Sequence, residues 1–155
     1  MKLSTGLQNY LSITGALKTG IDGGVIKIYG SPSSQAAADA LIPADPDSGK
    51  GSATLLVTIS NNGAGTGINM DTTPTDGVLP KASGETWKGT VAASGYASFA
   101  FFCTTGDALG SSATEKRLQM TAGVAGKEIT LQNAYLTISQ EQRIDSGYLR
   151  VPIGS

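Results

Sequence analysis

The sequence predicts an all-β domain, an antiparallel two-sheet sandwich of jelly-roll type, with one helix in front of it. Three observations carry that prediction. The stretch Tyr96–Cys103 holds all three phenylalanines of the chain, and its side chains alternate: Ala97, Phe99, Phe101 and Cys103 share one face, Tyr96, Ser98, Ala100 and Phe102 the other. A strand apolar on both faces belongs at the centre of a sheet covered on both sides, or at a subunit contact. About eight short segments alternate with a period of two and are parted by Gly, Pro, Asn and Ser turns. Only residues 4–21 have helical spacing, and no unit of roughly 20–50 residues repeats, which argues against solenoids and propellers.

In residues 4–21, Leu7, Tyr10, Leu11, Thr14, Leu17 and Ile21 recur at spacings of three and four. Ser4 or Thr5 can cap the start and Gly20 with Gly23-Gly24 ends the helix, while Gly6 and Gly15 each weaken it by about 1 kcal/mol relative to Ala. A helix this marginal is held by what it packs on, either the sheet of its own domain or a neighbouring subunit. The expected division is a helical lead-in, residues 1–23, and a single sandwich domain, residues 24–155. Val25–Tyr29 is strand-like, with Ile26 and Ile28 opposite Lys27. The longest irregular segment is Ser31–Ser52, punctuated by Pro32, Pro43 and Pro46 and by Asp47-Ser48-Gly49-Lys50-Gly51; it is expected to be exposed or used at a contact. Ala53–Ser60 then points Ala53, Leu55, Val57 and Ile59 inward, and Asn61-Asn62-Gly63 turns it back.

Ile68 and Met70 mark a short strand, Val78-Leu79 follows a loop containing Pro74, and Glu85–Val91 places Trp87 and Val91 on one face. Lys116–Val124 points Leu118, Met120, Ala122 and Val124 inward. In Glu128–Ser139 the apolar phase moves from odd positions (Ile129, Leu131) to even ones (Ala134, Leu136, Ile138), which predicts a β-bulge at Gln132-Asn133. Last, Leu149, Val151 and Ile153 alternate with Tyr148, Arg150 and Pro152. Pro152 cannot donate to a ladder and puts this strand at an edge or ends it.

A chain of 155 residues suits one domain, burying roughly 70% of the surface its unfolded form exposes. Charged residues are 15%, well under the roughly 25% of average domains, and glycine is abundant at 21 residues. Low charge and many small residues suit a packed protein with much of its surface in contact. The net charge is −1 with no run of like charge, so the basic stripe that nucleic acid requires is missing. A single cysteine, Cys103, excludes an intramolecular disulfide and reads as a small buried hydrophobe. Polar Ser4, Thr5, Gln8 and Asn9 follow Lys2, and no apolar run approaches the roughly 20 residues of a membrane span, so neither an export signal nor a membrane partner is expected.

With no histidine, Ser-His-Asp and Cys-His catalysis and His-ligated metals are impossible. Asp45-Pro46-Asp47-Ser48-Gly49 resembles the start of a calcium loop, but the position of its closing acid falls on Leu56. Gly49-Lys50-Gly51-Ser52 lacks the leading glycine of a phosphate-binding loop, and Gly63-Ala64-Gly65-Thr66-Gly67 is followed by no helix. Glu85, Asp107, Glu115 and Glu128 stand singly near strand ends and read as solvated acids rather than a glycosidase pair. Trp87 reads as core, with an interface role next, and the five tyrosines are too scattered for a stacking platform. No catalytic residue, cofactor or metal site is assigned.

Several segments together resemble the small virion structural proteins of tailed bacteriophages. Asp22-Gly23-Gly24-Val25-Ile26-Lys27-Ile28-Tyr29, a Pro/Ser/Ala loop and Leu55-Leu56-Val57-Thr58-Ile59-Ser60 are similar to the first half of that family. Gly77-Val78-Leu79-Pro80-Lys81, Glu85-Thr86-Trp87-Lys88-Gly89-Thr90 and Ala93-Ser94-Gly95-Tyr96-Ala97-Ser98-Phe99 are similar to its middle. Lys116-Arg117-Leu118-Gln119-Met120-Thr121-Ala122-Gly123 and Ile129-Thr130-Leu131-Gln132-Asn133 are similar to its end. Residues 31–52 are longer than the family pattern, and the tail from Tyr148 is less typical of it.

The resemblance implies a non-enzymatic head decoration or cement protein on the capsid surface, made in the bacterial host cytoplasm, that clamps neighbouring major capsid subunits. A tail-associated or glycan-binding sandwich is the alternative. Positions on a symmetric shell favour a closed homo-oligomer, with a trimer expected. The partner interface is expected at Leu7, Tyr10 and Leu11 of the helix and at Pro32, Pro43 and Pro46 of the long loop.

Overall fold

The stretch Gly95–Cys103 is a strand whose residues are all buried except half-buried Tyr96, as apolar alternation on both faces requires. The computed structural model describes residues 1–145 and 147–150. In chain order the strands are β1 (Lys2–Leu3), β2 (Val25–Ser31), β3 (Thr54–Asn61), β4 (Val78–Pro80), β5 (Trp87–Thr90), β6 (Gly95–Cys103), β7 (Arg117–Gly123), β8 (Ile129–Thr130), β9 (Tyr135–Leu136), β10 (Glu141–Ile144) and β11 (Tyr148–Arg150). The helices are α1 (Thr5–Ile13), α2 (Leu17–Ile21) and α3 (Gln35–Asp39). The fold is mostly β with a few short helices. One nine-stranded sheet runs β1-β7-β6-β2-β3-β5-β10 in antiparallel order, with β9 beside β6 and β8 joined to β7 in parallel. β4 and β11 form a separate ribbon. No helix among the described residues is long and apolar enough to cross a membrane.

The centre of the sheet has two apolar faces. Ile26 and Ile28 of β2, Ala100 and Phe102 of β6, and Leu118 and Met120 of β7 point to one, where Leu7 and Ile21 of the helices and Trp87 of β5 join them. Val25, Tyr29, Phe99, Phe101 and Cys103 point to the other, with Ala53 and Leu109. Each buried side chain of this size contributes roughly 1.5–3 kcal/mol.

Two register shifts correct the predicted faces. Between β2 and β3 the pairing moves from Ile28↔Val57 to Tyr29↔Leu55, leaving Leu56 extra; between β2 and β6 it moves from Tyr29↔Phe99 to Gly30↔Ala97, leaving Ser98 extra. An extra residue flips everything beyond it. Ala97 therefore parts from Phe99, and Val57 and Ile59 part from Ala53 and Leu55. The backbones cross so closely here that a Cβ on Gly30 would lie 1.8 Å from the Tyr96 carbonyl oxygen.

The phase change at 128–139 is not a bulge. β8 extends the edge of β7 and β9 extends β6, and the chain crosses between them with Leu131 buried. Val124, predicted inward, and Ile138, of the even apolar set, are exposed beyond the strand ends. Ile68 and Met70 form isolated bridges to Gly24 and Lys81 rather than a strand. The predicted single helix is two, parted at residues 14–16, where Ala16 adopts extended backbone; Ser4 does cap the first, its Oγ accepting from the Leu7 N–H at 3.2 Å. β11 pairs antiparallel with β4, and Val151, Pro152 and Ile153 of the predicted last strand lie outside the described residues.

β3 also turns the sheet over. Its first part pairs β2, and its end pairs β5 through Ser60↔Lys88 and Asn61↔Trp87. The curl brings Trp87 edge-on to Phe102, ring centroids 6.4 Å apart.

Candidate functional site

Asp107 and Glu85, read from the sequence as solvated acids, are instead tied into the fold by hydrogen bonds, Asp107 in the interior. Asp107, at the start of the loop after β6, takes a two-pronged bond from Arg117 of β7: Nε donates to Oδ2 at 2.6 Å and Nη2 to Oδ1 at 2.8 Å, with both side chains almost fully buried. Arg117 Nη1 also donates to the Pro46 carbonyl at 3.2 Å, and Asp107 Oδ1 accepts from the Leu109 N–H at 2.7 Å. Burial raises the Asp107 carboxyl, but the Arg117 and Leu109 bonds outweigh it and hold the group below the usual carboxylate range. Arg117 is correspondingly raised: burial works against its charge and Asp107 outweighs that.

Glu85 likewise spans two segments. Its Oε2 accepts from Trp87 Nε1 at 2.7 Å and the Asn69 N–H at 2.9 Å, its Oε1 from Asn69 Nδ2 at 2.8 Å. Burial pushes it up, and these bonds prevail and hold it down. Glu128 takes the Met1 ammonium and the Thr121 N–H; burial again opposes and the bonds win. Burial pushes the Cys103 thiol up to about 12 and the Tyr29 hydroxyl up to about 12, so neither is a nucleophile near neutral pH. Among the described residues no group of three or more acids or cysteines is arranged to hold a metal ion.

The residues expected at a partner interface separate. Leu7 is fully buried in the core and Pro46 is buried under the loop, which corrects their expected exposure: both are consumed by the chain's own packing. Tyr10, Leu11 and Pro43 are half-buried, and Pro32 is exposed. Lys116 Nζ lies 4.5 Å from the Tyr10 ring centroid. The long loop, expected at the surface, largely covers the Phe99–Phe101 face. Ala38 of α3 is fully buried, and the extra Ser98 of β6 donates its Oγ–H to the Ala38 carbonyl at 2.8 Å. Gln119 Nε2 donates to the Pro43 carbonyl at 2.8 Å.

The curl of the sheet leaves a cleft of about 620 Å³ between the Ile26–Phe102–Met120 face and β10, with Trp87 and Met70 in its walls. A second, shallower hollow of about 380 Å³ lies beside Tyr96, Gly123 and Val124. Sequence reasoning missed both, because their linings come from segments far apart in the chain.

The geometry defines a mostly β protein with a few short helices and a stapled, double-faced sheet. Comparison with protein-family models, curated proteins and solved structures finds no match to this chain.

Proposed function

We propose that this chain is a structural component of a tailed-bacteriophage virion, a head decoration protein whose jelly-roll-like sandwich bridges neighbouring major capsid subunits. The observation that carries the reading is the placement of exposed apolar side chains on different elements of a stiffened body. Ile13, 87% exposed, ends α1, while Val124, Tyr135 and Ile138 are exposed around β8 and β9. A bridge needs at least two contact surfaces on one rigid unit, and rigidity here comes from the bonds of Asp107, Glu85 and Glu128 between distant segments. Each copy would contribute modest interfaces to two subunits, and a closed oligomer, a trimer at a local threefold, would multiply them.

The test is to locate the polypeptide in purified particles by mass spectrometry and density. Particles assembled without it should lose their contents at lower temperature. Particles that lack it naturally, or that resist heat equally well without it, overturn the reading. A tail-associated, glycan-binding role is the second reading, favoured by the Tyr96–Tyr135 pair, with centroids 4.9 Å apart and Tyr135 43% exposed beside the shallow hollow. Saturable binding on a glycan array, lost in Tyr135→Ala, would select it.

A further inference from the structure

The geometry points to a binding site for a single-chain anionic amphiphile of the fatty-acid type in the cleft between the Ile26–Phe102–Met120 face and β10. The inference is independent of the virion reading. The sheet could have closed on itself, since Trp87 already reaches Phe102. Instead β10 is held off the sheet face over a volume of about 620 Å³, within the ~300–1,000 Å³ of small-molecule sites.

The lining argues for an apolar chain. All three methionines and the single tryptophan of the sequence, Met1, Met70, Met120 and Trp87, border this one cleft. They come from four separate segments. Thioethers are flexible and polarizable and shape themselves to a ligand of variable outline, which is why they concentrate at adaptable apolar sites.

The mouth argues for an anionic head. Its carboxylates are already matched: Glu128 by the Met1 ammonium, Glu141 by Lys88 at 2.8 Å, Asp145 by Arg143 at 3.5 Å. Lys127 also borders the cleft, is half-buried, and has no ion-pair partner among the described residues. Its aliphatic stem packs over Gly123, where a Cβ would lie 3.4 Å from Lys127 Cγ, so the side chain stands between this cleft and the shallower hollow, which Gly123 and Lys127 also border. Lys127 thus brings a positive charge without an ion-pair partner among the described residues to the border of a cleft whose buried wall is apolar (Ile26, Met70, Trp87, Phe102, Met120) and whose rim also carries Thr130, Gln132 and Gln142, a border that complements a carboxylate on an alkyl chain.

The test titrates the full chain, carrying 13C-methyl methionine, with decanoate below its micelle concentration, following the three methyl resonances and the Trp87 emission. All four probes are expected to shift saturably with one shared dissociation constant. Affinity is expected to rise about fourfold for each methylene added from hexanoate to decanoate, the ratio set by ~0.8 kcal/mol per buried CH₂. In Lys127→Gln, decanoate is expected to bind about tenfold more weakly, with 1-decanol unchanged. Absence of saturable shifts, shifts confined to Met1, or a K127Q chain that binds decanoate as tightly as the original overturns the proposal.

Discussion

On one side of β6, Phe99, Phe101 and Cys103 are covered by irregular chain, the segments around α3, Pro46 and Leu109; on the other, Ala100 and Phe102 are covered by strands and helices. Irregular chain has carbonyls and N–H groups with no ladder to join, so the first side is rich in polar fasteners: Arg117 to Asp107 and Pro46, Ser98 to Ala38, Gln119 to Pro43, and the Lys50 N–H to the Leu109 carbonyl. Leu109 is held at φ 57°, a left-handed conformation unfavourable for leucine, so that its side chain can plug the apolar layer. The second side has fasteners of its own where irregular chain joins it, Glu85 to Asn69 and Trp87 and Asp22 to the Met70 N–H, while its covering strands pair their backbones in the sheet. It is the side left with the large cleft. A loop can be drawn down onto a sheet residue by residue, whereas a strand lies where its partner puts it.

The largest expected effects test whether the two sides really rely on different forces. Arg117→Ala strands the Asp107 carboxylate in the interior and should cost about 3–5 kcal/mol in denaturant unfolding. Adding Asp107→Leu to Arg117→Met should recover most of that loss, because the uncompensated charge disappears. Phe102→Ala on the other side should cost a similar ~3–5 kcal/mol, with no recovery from any charge change. If the paired replacement is as damaging as Arg117→Ala alone, the loop side is held by shape rather than by charge.

Next in size, Glu85→Gln weakens the bonds to Trp87 and Asn69 and should cost about 1–3 kcal/mol, with a red shift of Trp87 emission. Acid should act on both sides together. Asp107, Glu85 and Glu128 are held below their ordinary values, so their stabilisation is complete above the usual carboxylate range near pH 4 and is lost as pH falls through their depressed pKa values. Alkali should discriminate. Tyr29 and Cys103 both belong to the loop-covered side and both are raised to about 12, so stability falls as pH climbs from their ordinary values toward 12. Hydrogen exchange at pH 10–11 should therefore accelerate first in residues 35–50 and 104–112. The smallest effect is at the rim: Lys88→Ala breaks an exposed pair with Glu141 and should leave the unfolding midpoint within experimental scatter.

The central strands were legible because each obeys a local rule. The period of two in Tyr96–Cys103 and in Val25–Tyr29 reports burial directly, and Trp87 and Cys103 are in the core as their surroundings implied. What sequence could not locate is where the period breaks. Leu56 and Ser98 are extra because β3 and β6 both shift register against β2 near Gly30, a tertiary condition marked in the sequence only by that one glycine inside a strand. Arg117, Gln119 and Thr121 alternate with the residues predicted inward, and the first two meet carbonyls of the long loop. A long donor aimed at water and one aimed at a distant carbonyl look alike in one dimension. The split helix was foreshadowed by Gly15, and the methionines bordering the cleft, dispersed along the chain, had no signature at all.

Residues 1–4 are bonded to residues more than a hundred positions further along the chain. Ser4 Oγ accepts from the Arg117 N–H at 2.9 Å, β1 pairs with β7, and the Met1 ammonium meets Glu128. On a translating ribosome, at roughly 5–20 residues per second, the opening segment must wait on the order of 10 s before its partners are even synthesised. During that interval Leu7 and Ile21 have no core to enter. A circular permutant in which residues 1–21 are synthesised after residues 117–128 should shorten that interval.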